Sequence, residues 1–471
     1  MLIPAIVIIY FLVLYAISRW TGRRATNETF YRADRQSPWY MVAFGMVGAS
    51  ISGVTFVSVP GMVNSIGMTY LQTCLGFIVG YVVIAFVLLP LYYRLNLTTI
   101  YGYLGQRIGR RAYKTGASFF LLSKMTGAAV RFYVVCWILM ECSGLKINFF
   151  LVVIVMTALI WLYTRQGGMK TIVWTDALQT ACLFGALLLI IYKVTGELGM
   201  SIGDAVTAIC KSELSRVFVL DDWFSKQYFW KQFLSGAFIA IVMTGLDQDM
   251  MQKNLTCRSL RDAQKDMCTY GVAFVPANLL FLSLGVLLTF WYQQQGVALP
   301  AKGDELLPVY VTTVANSSLF TLHSSLFILG MVAAAFSSAD SALTALTTSY
   351  CVDICERADD EHLRRRVHIG MAVVFVIFIL LFRVLNSTSV IDAIYILCSY
   401  TYGPLLGLFA FGLLTKRQTN DRMVPYICVA SPIVCYLLDM VVGQLTGYRF
   451  GYELLMLNGL LTFIGLSLFK H

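Results

Sequence analysis

The stretch Gly45–Gly53 (GMVGASISG) interrupts an apolar segment, 38–63, that is long enough to cross a membrane as a helix. A second apolar segment, 230–250, is interrupted in a similar way by Gly236 and by Thr244–Gln248 (TGLDQ). Interrupted spans at matching positions in two halves of a chain are typical of secondary transporters built from inverted repeats. Taken alone, the glycines of 38–63 fit close helix packing equally well, because small residues let helices approach each other.

The composition of the whole chain is that of a membrane protein. Hydrophobic residues make up 58% and charged residues 13% of the 471 residues, and the mean hydropathy is +0.73. Soluble domains carry about 25% charged residues, so a water-soluble fold is excluded. We predict thirteen helical spans in one all-α membrane domain, at 2–18, 38–63, 70–92, 116–141, 147–164, 171–192, 230–250, 268–292, 320–350, 367–386, 389–414, 423–444 and 453–469.

The two interrupted spans predict how these helices are organised. Each would begin a unit of five helices, and because five is odd, the second unit must start from the opposite side of the membrane. The prediction is a first helix, two repeats and a peripheral pair, with boundaries at 2–18, 38–192, 230–414 and 423–469.

The distribution of basic residues predicts the orientation. With the N-terminus outside, 24 of the 35 Lys and Arg residues fall in cytoplasmic segments, which is the asymmetry that the positive-inside rule describes. We therefore expect a multi-pass protein of the cell membrane with its N-terminus outside and its C-terminus in the cytoplasm. The net charge of +10 is spread over six loops, so it does not indicate a nucleic-acid partner.

The motifs of membrane enzymes and receptors are missing from the sequence. There is no HExxH, no phosphate-binding glycine loop and no cluster of the four His and twelve Cys residues. We therefore predict no enzymatic activity and no catalytic residue. A channel is a remote alternative, which saturation of the flux by its solute would distinguish from a transporter.

The sixth and ninth spans carry polar groups suited to a hard cation. In the ninth span Ala334, Ser337, Ser338 and Ser341 share one helix face, and Asp340 lies one turn after Ser337. Asp176 in the sixth span is either a cation ligand or a carboxylate that reaches the cytoplasmic interface. The serines could instead hydrogen-bond to their own backbone, but that reading does not account for the aspartate among them.

The fourth span contains two basic residues, which we interpret differently. Arg131 lies near the middle of the span, where it would either bind an anionic solute through two hydrogen bonds or be neutralised by a carboxylate such as Asp176. Lys124 lies two turns closer to the cytoplasm, and we expect its long side chain to extend to the interface.

Three motifs together resemble the sodium:solute symporter family. Gly245–Thr256 (GLDQDMMQKNLT) is similar to the family pattern in which Asn or Asp followed by Gln precedes Gln-Arg. The pair Ser337-Ser338 in a helix of small residues, and Gly403–Phe409 (GPLLGLF) before Lys416-Arg417, are also similar to the family. The resemblance implies a leucine-transporter-like fold with five-helix inverted repeats, alternating access and Na⁺ as the coupling ion.

The resemblance also implies ligands for sodium. The first site would use five groups of the second and ninth spans, namely the carbonyls of Gly48, Ile51 and Ala334 and the hydroxyls of Ser337 and Ser338. A second site, present in some members, would use Asp176, Ser337, Asp340 and Ser341. Asp340 departs from members that have a small hydroxyl at its position, which leaves open whether sodium or a proton is bound there.

The resemblance implies a class of solute as well. Ser50–Pro60 is similar to the corresponding stretch of sialic-acid and monocarboxylate members, which makes Ser52, Thr55, Gln72 and Arg131 the expected substrate contacts. The predicted function is sodium-coupled import of a small polar organic anion through the lipid bilayer by a monomeric carrier. A symporter for a sugar, polyol or amino acid is the alternative, although 239–244 (IAIVMT) lacks the polar residues of sugar-transporting relatives.

Overall fold

The computed structural model describes residues 2–23, 25–143, 148–314, 320–385, 390–446, 448 and 450–469. This part of the chain is mostly helical and contains no β-strand, only isolated bridges such as that between Ser37 and Cys257. The α-helices, in chain order, are α1 (Leu2–Thr21), α2 (Asn27–Arg32), α3 (Trp39–Ser50), α4 (Gly53–Ile66), α5 (Tyr70–Val83), α6 (Leu89–Arg94), α7 (Gly102–Arg107), α8 (Arg110–Ser143), α9 (Phe149–Thr164), α10 (Met169–Glu197), α11 (Ile202–Lys211), α12 (Phe229–Ala240), α13 (Gln248–Asn254), α14 (Leu260–Gln295), α15 (Leu306–Val314), α16 (Phe320–Ser349), α17 (Glu361–Leu385), α18 (Val390–Leu414), α19 (Val424–Thr446) and α20 (Leu454–Leu468).

The membrane-spanning character of the helices follows from their length and composition. Within the described residues, eight helices are long and apolar enough to cross a membrane, and two bent helix pairs raise this number to ten. Three shorter apolar helices, in α1, α9 and α20, coincide with the first, fifth and last predicted spans. Every predicted span thus overlaps a helix or a bent pair, and the number of thirteen crossings stays a prediction.

The first bent pair is α3 and α4, which meet at 60° across Ile51 and Ser52. The sequence Gly45–Gly53 that predicted an interruption therefore coincides with a real break. Glycines bring α3 close to α10, because a Cβ on Gly48 would lie 1.9 Å from the Thr180 hydroxyl oxygen. Both interpretations of these glycines therefore hold: they allow close packing of α3 against α10, and they precede the break between α3 and α4.

The second bent pair consists of α12, a π-helical turn at Ile241–Gly245, and α13, with a bend of 71°. Two tyrosines hold the carbonyls at this break: Tyr92 donates to the Gly245 oxygen and Tyr101 to the Leu246 oxygen, each at 2.9 Å. The Asp247 side chain caps the new helix by accepting from the Asp249 amide at 2.8 Å. The break is therefore built into the fold by buried hydrogen bonds.

Burial separates the central helices from the peripheral ones. In the apolar stretch of α16, 89% of the residues are buried, against 22% in that of α19. The central helix α16 packs against α8 and α10, and α10 also packs against α3. This arrangement brings the polar residues of α10 and α16 next to the break between α3 and α4.

Glycines also determine the contact between α5 and α12. A Cβ on Gly76 would lie 2.0 Å from the Phe233 carbonyl oxygen, and one on Gly236 would lie 2.2 Å from the Thr73 carbonyl oxygen. Both obstacles are backbone atoms, so a new methyl group cannot be accommodated by turning a side chain.

We expect Gly76→Ala to lower the melting temperature of the purified protein, because overpacking of a close contact costs about 1–3 kcal/mol. Gly185→Ala in α10 is the matched control, since nothing lies within 4 Å of its Cβ position. Alanine there improves helix propensity and should leave the melting temperature unchanged or slightly higher. Equal melting temperatures of the two variants would contradict the packing argument.

Candidate functional site

A cavity lies where the two broken helices face α8. It is bordered by residues of α3, α4, α5, α8, α12, α13, α14, α16 and α18. Among the predicted solute contacts, Ser52, Thr55 and Arg131 line it, as does Ser338 from the predicted sodium site. Its other polar lining residues include Ser50, Ser123, Lys124, Thr244, Asp247, Asp249 and Tyr402.

Gln72 does not belong to this cavity. Its side chain is fully buried, donates to the Gln227 carbonyl at 2.9 Å and accepts from the Val219 amide at 3.1 Å. These contacts attach the segment 212–228 to the first turn of α5. The structure therefore gives Gln72 a position in the packing of this loop and does not bring it to the other three predicted solute contacts.

Arg131 lies on the cavity wall without a carboxylate partner among the described residues. Cys398 from α18 also lines the cavity. Asp176, the alternative partner expected from the sequence, forms its ion pair with Lys253 instead. Of the two readings of Arg131, binding of a solute anion is the one that this arrangement leaves available.

The predicted first sodium site gathers around the break between α3 and α4. The Ser338 hydroxyl lies 3.1 Å from the Ala49 carbonyl oxygen and 3.2 Å from the Ala334 carbonyl oxygen. No backbone N–H among the described residues donates to the carbonyls of Gly48 or Ile51. The helix break thus leaves these two carbonyl oxygens available beside a hydroxyl, which is the donor set that a hard cation prefers.

Ser337 points toward α10. Its hydroxyl donates to Asp176 Oδ1 at 2.6 Å, and both residues are buried. A hydroxyl that donates its proton to a carboxylate keeps its oxygen lone pairs for a cation. The serine pair therefore faces the interior of the protein, with Ser338 toward the helix break and Ser337 toward the aspartate.

The predicted second sodium site is already occupied by a side chain. Lys253 Nζ lies 2.7 Å from Asp176 Oδ2, and the side chains of both residues are 2% exposed or less. The lysine comes from α13, the short helix after the second break. The contact was not predicted from the sequence, in which Lys253 directly follows the apolar segment 230–250. A lysine so close to an apolar span needs a carboxylate partner if it is buried.

Asp340 is bound by neighbours on the other side of the same region. Tyr163 from α9 donates to Asp340 Oδ2 at 2.6 Å, and the Ser341 amide donates to Asp340 Oδ1 at 2.5 Å. The Ser341 hydroxyl lies 3.4 Å from Asp340 Oδ1, so these two neighbours contact each other. That they form one ion site with Asp176 stays a prediction.

Lys124 does not extend to the membrane surface as expected from the sequence. Its ammonium group lies 2.7 Å from Asp249 and 3.2 Å from Asp247, and its side chain is 10% exposed. Tyr402 donates to the same carboxylate of Asp247. The bend before α13 brings both aspartates to α8, so an interior ion pair forms where a straight helix would have left the lysine without one.

We expect Lys124→Met to destabilise the protein strongly, because it leaves two carboxylates buried without their counter-charge. Breaking such a pair costs about 3–5 kcal/mol. Adding Asp249→Asn should recover part of the loss in melting temperature. Lys193→Met is the control, since Lys193 pairs with Glu197 at 3.4 Å on a more exposed surface, where ion pairs contribute about 0–1 kcal/mol. If Lys193→Met proved as harmful as Lys124→Met, burial would not be the cause.

A chain with two broken helices around a polar cavity at mid-membrane has the architecture of a secondary transporter. Residues 30–422 match the model of the sodium:solute symporter family. The chain belongs to this family, and Na⁺ is its coupling ion.

Curated relatives extend this assignment. The chain is 24% identical over 440 residues to a sodium/sialic acid symporter of Proteus mirabilis. The aligned region covers 87% of this chain and 84% of the relative. The chain is 24% identical over 450 residues to a sodium/sialic acid symporter of Aliivibrio fischeri, which covers 90% and 85% of the two chains. A mouse sodium-coupled monocarboxylate transporter is 24% identical over 424 residues, with coverages of 85% and 65%.

Solved structures agree on the fold. A Na⁺-coupled sialic acid symporter in a substrate-bound outward-open state superposes with a TM-score of 0.82 at 19% identity and covers 99% of this chain and 97% of its own. A transporter of the nucleobase-cation-symport-1 family has a TM-score of 0.62 at 14% identity, with coverages of 94% and 93%. The predicted leucine-transporter-like fold is thereby confirmed, whereas the repeat boundaries at 38–192 and 230–414 stay a prediction.

Proposed function

We propose that this symporter imports a small hydroxylated organic anion together with sodium. The observation that carries the proposal is Arg131, a cation on the cavity wall for which the described residues supply no carboxylate. Arginine binds a carboxylate through two parallel hydrogen bonds, so a solute carboxylate would complete the site. Ser52 and Thr55 border the same cavity and offer hydroxyls to the solute.

The opposite end of the cavity supports a solute with hydrogen-bond donors. Asp249 Oδ1 and the Ser123 hydroxyl are buried, line the cavity and have no hydrogen-bond partner among the described residues. Ser123 and Arg131 lie on one stripe of α8, eight residues or about 12 Å apart along its axis. A solute that uses both ends carries a carboxylate at one end and hydroxyl or amide groups at the other, which favours hydroxylated acids over short monocarboxylates.

Sodium would act at the break between α3 and α4. Bound between the free carbonyls of Gly48 and Ile51 and the hydroxyl of Ser338, it would fix the position of Ser52 at the start of α4. An ion that stabilises the solute-binding arrangement raises the solute affinity, and the solute must raise the sodium affinity by the same factor. Alternating exposure of the cavity to the two sides then carries both across, with no covalent step.

The remaining features of the proposal come from the sequence. The charge asymmetry of the loops supports an N-terminus outside and a C-terminus in the cytoplasm of the cell membrane. Transport by a monomer is likewise part of the proposal.

A thermal-shift screen of the purified protein tests this proposal, because a ligand that binds the folded state raises its stability. The screen compares N-acetylneuraminate and gluconate with lactate, glucose and proline, each with sodium or with potassium. We expect a shift with the hydroxylated acids in sodium only. A shift with glucose or proline in place of the acids would favour the sugar or amino-acid alternative, and shifts independent of sodium would contradict the coupling.

A further inference from the structure

We infer that the ammonium group of Lys253 permanently takes the place of the second sodium ion, so that the chain binds and transports one Na⁺ per cycle. This inference concerns the site formed by Asp176, Asp340 and Ser341 and rests on the proposed sodium-coupled function. It decides the ion stoichiometry, which the family assignment leaves open.

The carboxylate oxygens of Asp176 already have partners within the protein. One of its oxygens, Oδ2, lies 2.7 Å from Lys253 Nζ, and the other, Oδ1, accepts the Ser337 hydroxyl at 2.6 Å. Both ends of the carboxylate therefore already face a donor of the protein. The ion pair is buried, with side-chain exposures of 2% for the lysine and 1% for the aspartate, so water does not compete for it.

The carboxylate oxygens of Asp340 also have partners within the protein. Its oxygens accept from the Tyr163 hydroxyl at 2.6 Å and from the Ser341 amide at 2.5 Å. A hard cation needs several oxygen ligands at once. Asp176 Oδ2 is in ion-pair contact with the Lys253 ammonium group, and the other three carboxylate oxygens of Asp176 and Asp340 accept hydrogen bonds. The positive charge next to Asp176 repels a second cation. The residues present therefore do not fit a second sodium.

The side chain at position 253 determines how closely its charge resembles that of a sodium ion. The family pattern has Arg after Gln, and this chain has Lys253 after Gln252. An ammonium group is a compact point charge, close in character to an alkali ion, whereas guanidinium is a planar fork. Some members of the family have a small hydroxyl where this chain has Asp340, whose two carboxylate oxygens accept from Tyr163 and Ser341. Both departures thus concern the predicted second sodium site, since Asp340 is one of its predicted ligands and Lys253 contacts another, Asp176.

The ion pair also has a structural consequence. Lys253 belongs to α13, the short helix after the second break, and Asp176 belongs to α10. A sodium ion at this point would bind and leave during each cycle. A lysine cannot leave, so it neutralises Asp176 and joins these two helices without being transported.

Equilibrium binding of ²²Na⁺ to the purified full-length protein, without solute, tests the inference. We expect one sodium per wild-type chain with a Hill coefficient of about 1. The variant Lys253→Gln/Asp340→Ser removes the ammonium group and gives position 340 a hydroxyl, so a sodium ion can supply the counter-charge of Asp176. We expect it to bind two sodium ions, with a Hill coefficient above 1 in the binding curve. Asp340→Ser alone should still bind one, because Lys253 remains.

The outcomes separate the inference from the proposed function. Two sodium ions on the wild-type chain, or two on Asp340→Ser alone, would overturn the role of Lys253 and leave sodium coupling intact. A single ion on the folded double variant would also overturn it, because Lys253 would then not be what excludes the second ion. No sodium on the wild-type chain would overturn the proposed function itself. The wild-type count decides the matter even if the double variant does not fold.

Discussion

Replacing Ser337 and Ser338 together by alanine is expected to abolish sodium-dependent uptake. The double variant removes the only side-chain oxygens among the five predicted ligands of the first site. Interactions with a charged group contribute about 1.5–3 kcal/mol each, so loss of two should weaken sodium binding about 100-fold or more. Uptake of a labelled hydroxylated acid into proteoliposomes, measured against the sodium concentration, checks this expectation.

Two controls keep this experiment interpretable. Thr446→Ala/Ser467→Ala also removes two hydroxyls, but these donate to carbonyls of their own peripheral helices, at 2.8 Å each. This control variant should take up the solute with the sodium dependence of the wild type. Ser338→Ala alone leaves the contact between Ser337 and Asp176 intact and should still reduce the sodium affinity, because Ser338 faces the helix break. Unchanged sodium dependence in the double serine variant would remove the first site from the mechanism.

Replacing Arg131 by glutamine should raise the KM for an acidic solute by about 10- to 100-fold, because a charge-assisted contact of about 1.5–3 kcal/mol is lost. Arg131→Lys should recover little of this, since an ammonium group cannot reproduce the two parallel hydrogen bonds of guanidinium. Melting temperatures in sodium alone should change less than for Lys124→Met, because no buried carboxylate among the described residues depends on Arg131.

Arg383→Gln is the matched control for Arg131. The Arg383 guanidinium lies 4.5 Å from the ring centre of Phe149, away from the residues that line the cavity. Its loss should leave the KM unchanged. If Arg131→Gln transported an acid with the wild-type KM, the solute carboxylate would have to bind elsewhere in the cavity.

The sequence predicted those parts of the fold that depend on composition and local pattern. Helical spans follow from long apolar segments, and the break at Ile51 follows from glycines and serines that weaken a helix locally. The inward direction of Ser337 and Ser338 follows from helical periodicity combined with the cost of polar groups in lipid. These inferences need only the residues within about two turns of one another.

The errors concern contacts between distant segments. Lys124 was expected at the interface because its partners, Asp247 and Asp249, approach it only through the bend before α13. Gln72 was expected in the cavity because its span is close to the predicted solute site, but its side chain contacts Val219 and Gln227 of the segment 212–228. The pairing of Asp176 with a lysine 77 residues later in the chain likewise depends on tertiary packing that periodicity does not encode.

The lysine bound to Asp176 has an energetic consequence for the cell. If one monovalent ion enters with one singly charged acid, their charges cancel and the cycle is electroneutral. A membrane potential of 100 mV is worth about 2.3 kcal/mol for each elementary charge that crosses, and here it would contribute nothing. The ceiling on solute accumulation would then be the ratio of outside to inside sodium concentration, and uptake would persist in a depolarised cell.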